Sequence, residues 1–299
     1  MGASDKILEK KLLRRQLFIW RILTILAIAA IFLLAYSKNG KFAEKSYVAR
    51  IAITGEIFED RLRETKLAEI AENPRIKAVI VHISSPGGTS YGGESLYNSI
   101  LEIKKKKPVV AVMGTLATSA GYMAVLGADH IVARNSSITA SIGAIFISPE
   151  FSELAKKIGV KFVVFKKGKL KAEPLPFGGL INEEVKQMIN SLLDNQYSMF
   201  FEMVAKHRKI SQDKLAVIAD GRVLTGEQAF ECGLIDQIGA EKEAREWLNS
   251  KGIDMKAIEI KKVSLEKADG IRNIFSFKDF KSTILDLRGI LGLLKGIYT

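Results

Sequence analysis

Apolar positions fall into two rhythms along most of this chain. From Tyr47 onward, continuous apolar runs rich in β-branched residues alternate with segments whose apolar residues recur every three or four positions. The runs predict strands at Val48–Ile53, Ala78–Ile83, Val109–Met113, His130–Ala133, Ile142–Ile147 and Phe162–Phe165. Stretches such as AVIVHI and VVAVM show no polar alternation, which suits strands covered on both faces. Between them, Arg61–Glu72, Gly92–Lys107 and Ser119–Leu126 carry helical spacing, as with Leu96, Ile100 and Ile103. Helical patterns follow at Asn182–Lys209 and Gln212–Ala219. Thr225 opens a further helix, with Gln228 as its capping-box partner and Gly233 as its stop. Strand–helix units repeated in this way predict an α/β fold built on a mainly parallel sheet.

The amino-terminal segment follows neither rhythm. Leu17–Tyr36 is an apolar run of 20 residues with one charge, Arg21, near its start. At about 1.5 Å per residue, a helix of that length reaches across a hydrocarbon core of about 30 Å. It has no polar face, so a transmembrane anchor is expected. Basic residues dominate before the span, which predicts a cytoplasmic amino terminus and an extracytoplasmic body in the cell membrane. A cleaved signal peptide, with a poor site at Ala35-Tyr36-Ser37, is the competing reading. The expected organisation is therefore a basic tail, anchor (about 17–36) and linker over 1–46, a catalytic body over 47–265, and an amphipathic basic tail over 266–299. That last tail, with Phe275, Phe277, Phe280, Ile284 and Leu287, suits a membrane, a neighbouring subunit or its own domain equally.

Charge changes the picture less than its total suggests. The net charge is +12, but residues 1–46 hold nine Lys/Arg against three acids, half of that excess. No stretch of the body interleaves bases with aromatics, so a nucleic-acid partner is not expected. The run Lys104–Lys107 ends a helix before Pro108, where it complements the helix dipole and is read as solvated. With 47% hydrophobic and 26% charged residues, the chain is neither disordered nor collagen-like. Its one cysteine, Cys232, excludes a disulfide framework and a cysteine-built zinc site.

Three histidines, His82, His130 and His207, lie in no HExxH pattern and beside no plausible nucleophile, so neither a zinc hydrolase nor a Ser-His-Asp triad is supported. Walker A and GxGxxG sequences are absent, and no cofactor or metal is implied. Three loops after apolar strands remain. Ser84-Ser85-Pro86-Gly87-Gly88 offers backbone N–H groups to a phosphate or an oxyanion. The run Ala117–Gly121 around Ser119 has small side chains that leave room for a substrate backbone, and helix amides that favour developing negative charge. Without a usable histidine, a serine nucleophile needs a lysine base, kept neutral by burial or neighbouring cations. Lys166-Lys167-Gly168-Lys169-Leu170-Lys171 supplies four lysines, among which residue chemistry alone does not choose.

Five ordered blocks carry a resemblance: SPGG, ATSAGYMAV, ITASIGAI, the lysine loop and DGRVLTGEQAFECGLIDQIG. Together, over about residues 47–250, they resemble the signal peptide peptidase A (SppA) family of membrane-anchored Ser-Lys peptidases, in its short single-repeat form with SohB-like relatives. The resemblance implies a ClpP/crotonase-like α/β fold, with Ser119 as nucleophile and Lys171 as base, 52 positions apart. It places Ser141 where the family has a lysine-orienting serine, and Gly87, Gly88 and Ala120 as backbone oxyanion donors. Lys169 is the fallback base. Ala120 stands where the family has glycine, Leu170 where it has an aromatic residue, and Ala172 where it has a polar one. Asp220 and Arg222 are read as structural.

The implied protein is a serine endopeptidase that degrades remnant signal peptides or other unfolded apolar segments. It is expected to sit on a lipid bilayer and form a homo-oligomeric ring, such as an octamer. The competing classes are a crotonase-fold acyl-CoA enzyme and an inactive scaffold for membrane quality control. The anchor argues against the first, and retention of Ser119 with Lys171 against the second.

Overall fold

The computed structural model describes residues 14–31, 45–178 and 181–265. These residues fall into two units that divide at Lys45/Ser46. The first contains helix α1 (14–31), whose Leu17, Phe18, Trp20 and Ile25 are exposed. Among the described residues no helix is long and apolar enough to cross a membrane. The expected span 17–36 runs beyond them, and the tail 266–299 lies outside them altogether.

The second unit is a mixed α/β layer structure. Its strands are β1 (Tyr47–Thr54), β2 (Ile76–Ser85), β3 (Val109–Thr118), β4 (His130–Ala133), β5 (Ile138–Ala140), β6 (Val223–Thr225), β7 (Gln237–Ile238) and β8 (Glu259–Lys262). They pair in the order β6-β5-β3-β2-β1-β8, with β4 joining β3 to β7. Every pairing is parallel except β5 with β6. The helices are α2 (Arg61–Glu72), α3 (Ser90–Lys104), α4 (Ala120–Leu126), α5 (Ser152–Lys157), α6 (Glu183–His207), α7 (Gln212–Ile218), α8 (Gly226–Glu231) and α9 (Glu241–Ser250).

The uninterrupted apolar runs lie where two-sided burial puts them. Val79, Val81 and Ile83 of β2 enter a core with α2, α3 and α4. Ala78 and Ile80 point to the opposite face, under Ala244 and Leu248 of α9. The Thr225–Gln228 capping box opens α8 as expected, and Gly233 follows its end with φ +85°.

Two expected strands are not formed. Neither Ile142–Ile147 nor Phe162–Phe165 pairs with a neighbour. The extended segment comes earlier, as β5, and positive φ at Ala140 and Ser141 turns the chain out of the ladder. The apolar side chains beyond it stay exposed: Ile145 at 81%, Val163 at 74% and Phe165 at 94%. β3, conversely, runs five residues past the expected Met113. Its start pairs with β4 through Val110–Val112 and its end with β5 through Leu116–Thr118, so one strand serves two partners in succession.

The lysine run also differs from expectation. Lys107 is buried, and its Nζ donates to the Ile70 and Asn73 carbonyls, both at 2.8 Å, closing the end of α2. Lys104 donates to the Ala128 carbonyl at 2.9 Å, and Lys106 pairs with Glu72. These side chains pin neighbouring elements because carbonyls left over at a helix end attract any cation within reach.

Candidate active site

The carboxyl ends of β2, β3 and β5 meet at one place: β2 leads into the SPGG loop, β3 into Ser119 and β5 into Ser141. β3 ends at Thr118, α4 begins at Ala120, and Ser119 is the single residue between them. Its backbone takes φ 52°, ψ −121°. A non-glycine residue held in such a region costs of the order of 1–3 kcal/mol and persists only where its surroundings impose it. Here the Ser119 N–H donates to the Ala140 carbonyl and its carbonyl accepts from the Met123 N–H, both at 2.9 Å.

Ser119 occupies the N-cap position of α4, yet its hydroxyl makes no capping bond. A serine at a helix start ordinarily spends its oxygen on the helix amides. This one keeps it available, at a half-buried position over the amino end of α4. The Ala120 methyl is buried, 1% exposed, and faces α3: a Cβ on Gly93 would lie 2.9 Å from it. The extra methyl therefore fills a helix–helix contact and leaves the Ala120 amide unaltered.

The SPGG loop lies against the serine. A Cβ on Gly87 would come within 2.9 Å of the Ser119 Cβ and 3.4 Å of its Oγ, and the Gly87 φ of +120° is itself a glycine conformation. The Gly87 N–H is occupied, donating to Ser85 Oγ at 3.1 Å. Ile57 holds the far side of the loop, donating its N–H to the Gly87 carbonyl at 2.8 Å and accepting from the Thr89 N–H at 3.0 Å. Among the described residues, the N–H groups of Gly88 and Ala120 have no acceptor.

Ser141 lies just past β5 with φ 53°, its N–H donating to the Arg222 carbonyl at 2.9 Å. Arg222 is fixed by Asp220, which accepts from its backbone N–H at 3.0 Å and from its guanidinium at 2.8 and 2.6 Å. The guanidinium holds the Asp220 carboxyl down to about 2. The DGRV block is thus a brace behind Ser141, in keeping with a structural reading.

Lys171 is exposed in an irregular loop, with Ala172 beside it at φ 64°. Ser119, Ala140, Ser141 and Ala172 are the non-glycine residues with positive φ among the described residues. Each is, or adjoins, a residue marked by the sequence. Lys166 pairs with Glu173 and Lys169 with Glu184, whereas Lys167 and Lys171 make no ion pair among the described residues. Within one chain, no hydrogen bond joins Ser119, Ser141 and Lys171 among the described residues. The fold brings Ser119, Gly87, Gly88 and Ala120 together and leaves the lysine on its own loop.

The histidines are committed elsewhere. His82 Nε2 lies 3.0 Å from Glu241, His130 Nε2 lies 2.9 Å from Gln237 and stacks on Trp247, and His207 Nε2 lies 2.6 Å from the Tyr97 hydroxyl. Burial and the cations Lys104, Lys206 and Arg208 push His207 below its ordinary value. Sequence reading had missed Ile57, Ser85 and Thr118 as supports. The doubled serine in SSPGG was the available signal for one of them.

The profile of Peptidase family S49 matches residues 102–254. A Synechocystis protein named as a protease is 34% identical over 222 residues, covering 74% of this chain and 80% of that protein. An Enterococcus faecium protein named as a signal peptide peptidase SppA is 32% identical over 223 residues, covering 72% and 64%. Among solved structures, a ClpP1 variant from Listeria monocytogenes overlays with TM-score 0.43 at 15% identity, covering 65% of this chain and 92% of that one. The chain belongs to peptidase family S49 and is a serine peptidase.

Proposed function

We propose that this protein is a membrane-anchored endopeptidase that uses a Ser-Lys dyad on remnant signal peptides and other unfolded apolar segments. Ser119 Oγ attacks the peptide carbonyl, and the neutral Lys171 amine takes its proton and returns it to the leaving amine. Water then attacks the acyl-enzyme; Lys171 takes one of its protons and passes it to Ser119 Oγ as the acyl bond breaks, which restores the neutral lysine, while the other proton leaves with the carboxylic acid product. Ser141 orients the lysine. Gly88 and Ala120 donate N–H bonds to the oxyanion, while Gly87 supplies the space beside Ser119. The observation that carries this reading is the Ser119 hydroxyl, left without a capping bond on a strained strand-to-helix turn with the Gly87 loop packed against it.

Lys171 is exposed on its own loop and needs a cover that brings it to Ser119 before it can act on the hydroxyl. The exposed apolar residues Ile145, Ile147, Val163 and Phe165 need one as well. We read both needs as met by a second copy of the chain within a homo-oligomeric ring, which also keeps folded proteins from the site. The apolar run 17–36 is read as the single-pass anchor, with the catalytic unit on the extracytoplasmic side.

The test uses detergent-purified protein on an unfolded apolar peptide. Wild type cleaves, and both Ser119→Ala and Lys171→Ala lose cleavage. Activity retained in Ser119→Ala overturns the nucleophile, and activity retained only in Lys171→Ala moves the base to another lysine. A folded wild type that cleaves nothing, beside an active control peptidase, leaves the scaffold reading in its place.

A further inference from the structure

Ser85 is fully buried, at 0% exposure, directly before the glycine loop. Its hydroxyl does two things to one residue. It accepts from the Gly87 N–H at 3.1 Å and lies 3.2 Å from the Gly87 carbonyl, to which it donates. Pro86, between Ser85 and Gly87, is tied from the other side, where Thr118 Oγ1 donates to its carbonyl at 2.8 Å. Thr118 precedes Ser119, so this bond couples the loop to the strand end that carries the hydroxyl.

These bonds decide which amide is left over. Ile57 lies on the extension of β1 and binds the Gly87 carbonyl and the Thr89 N–H. In a parallel bridge, the residue between those two groups directs its own N–H to the opposite side. β2 runs between β1 and β3, so the Gly88 N–H is directed away from Ile57 toward the side of Ser119. The same backbone offers two N–H groups, from Gly87 and Gly88, and the Ser85 hydroxyl consumes the first. Glycine at φ +120° has little intrinsic reason to keep this peptide orientation, because glycine visits both signs of φ readily.

We propose that Ser85 is a positioning residue of the peptidase: its buried hydroxyl locks the Gly87 peptide and so presents the Gly88 N–H to the oxyanion beside Ser119. Ser85 touches neither substrate nor nucleophile in this role. Its effect falls on the transition state, where the oxyanion exists, and not on ground-state peptide binding. Space for this arrangement is kept by Gly121, where a Cβ would lie 3.1 Å from the Ser85 carbonyl and 3.3 Å from its Cβ. The inference rests on Ser119 being the nucleophile.

The experiment measures kcat and KM on the apolar peptide for wild type, Ser119→Ala, Ser85→Ala and Ser85→Cys. It also measures the affinity of a peptide aldehyde, which forms a tetrahedral adduct on a serine. Ser85→Ala is expected to lower kcat about 100-fold with KM changed less than about threefold, and to weaken the aldehyde by the same factor as kcat/KM. Ser85→Cys, which keeps a polar atom at that place, recovers part of the loss. Thr118→Val loosens the Pro86 anchor and gives a second variant should Ser85→Ala not fold, with the same kcat-selective loss expected. If Ser119→Ala is dead while Ser85→Ala and Thr118→Val keep wild-type kcat and aldehyde affinity, the positioning role is overturned. So is it if KM rises while kcat holds. If Ser119→Ala remains active, the nucleophile assignment fails instead, and the two failures are distinct.

Discussion

Gly87 stands over Ser119 so closely that a methyl group on it would lie 2.9 Å from the serine Cβ and 3.3 Å from the Thr118 carbonyl. Space and backbone conformation both demand glycine there, since φ is +120°. Gly87→Ala must move the loop or the serine. A loss of activity of at least about 100-fold is expected, with folding stability lower by about 1–3 kcal/mol. Peptide cleavage and urea unfolding of the purified variant measure the two effects.

Lys169 and Lys171 separate by their partners. Lys169 is engaged in an ion pair with Glu184, whereas Lys171 makes no ion pair among the described residues. Lys169→Ala is expected to keep activity within a few-fold of wild type, while Lys171→Ala loses it. Rates of peptide cleavage by the two variants settle the choice of lysine.

If a second copy covers the segment around Phe165, charge placed there breaks the assembly. Val163→Asp with Phe165→Asp is expected to convert the oligomer to a monomer in analytical ultracentrifugation and to abolish cleavage. Its Ser119 environment stays intact, because both positions are exposed in the single chain. Mixing Ser119→Ala with Lys171→Ala protein tests how the dyad is assembled. Partial recovery of cleavage is expected where a lysine from one copy serves the serine of another.

Lys107 closes α2 from inside the protein, its ammonium bound to the Ile70 and Asn73 carbonyls. Lys107→Met keeps most of the stem and leaves those carbonyls without their cation. Stability is expected to fall by about 1–3 kcal/mol, read from the urea midpoint, with cleavage by the folded fraction unchanged.

His207 makes stability depend on pH. Burial and neighbouring cations lower its folded value below the ordinary 6.5, so between the two values the unfolded chain binds more protons than the folded one. Stability is therefore full above about pH 6.5 and is lost as pH falls through the depressed folded value. His207→Gln, which removes the titration but can still meet the Tyr97 hydroxyl, is expected to flatten this part of the urea-midpoint profile.

Much of this protein is written in local pattern. The continuous apolar runs of β2 and β3 and the periodicity of α2, α3 and α6 declare their elements, because burial acts on each residue according to its own side chain. The small residues around Ser119 and the glycines before α3 likewise mark the site, since close backbone approach excludes larger side chains whatever the rest of the chain does.

What tertiary structure alone decided is which groups are left free. Lys104–Lys107 read as a solvated run until the fold put helix-end carbonyls within reach of Lys104 and Lys107 and a carboxylate within reach of Lys106. Ile142–Ile147 and Phe162–Phe165 have strand composition but no neighbour to pair with, and a strand exists only through its ladder. Gly87 and Gly88 look equivalent in the sequence. Only the distant Ile57 and the buried Ser85 hydroxyl distinguish them, because a hydrogen bond depends on where two groups meet in space and not on which residues they belong to.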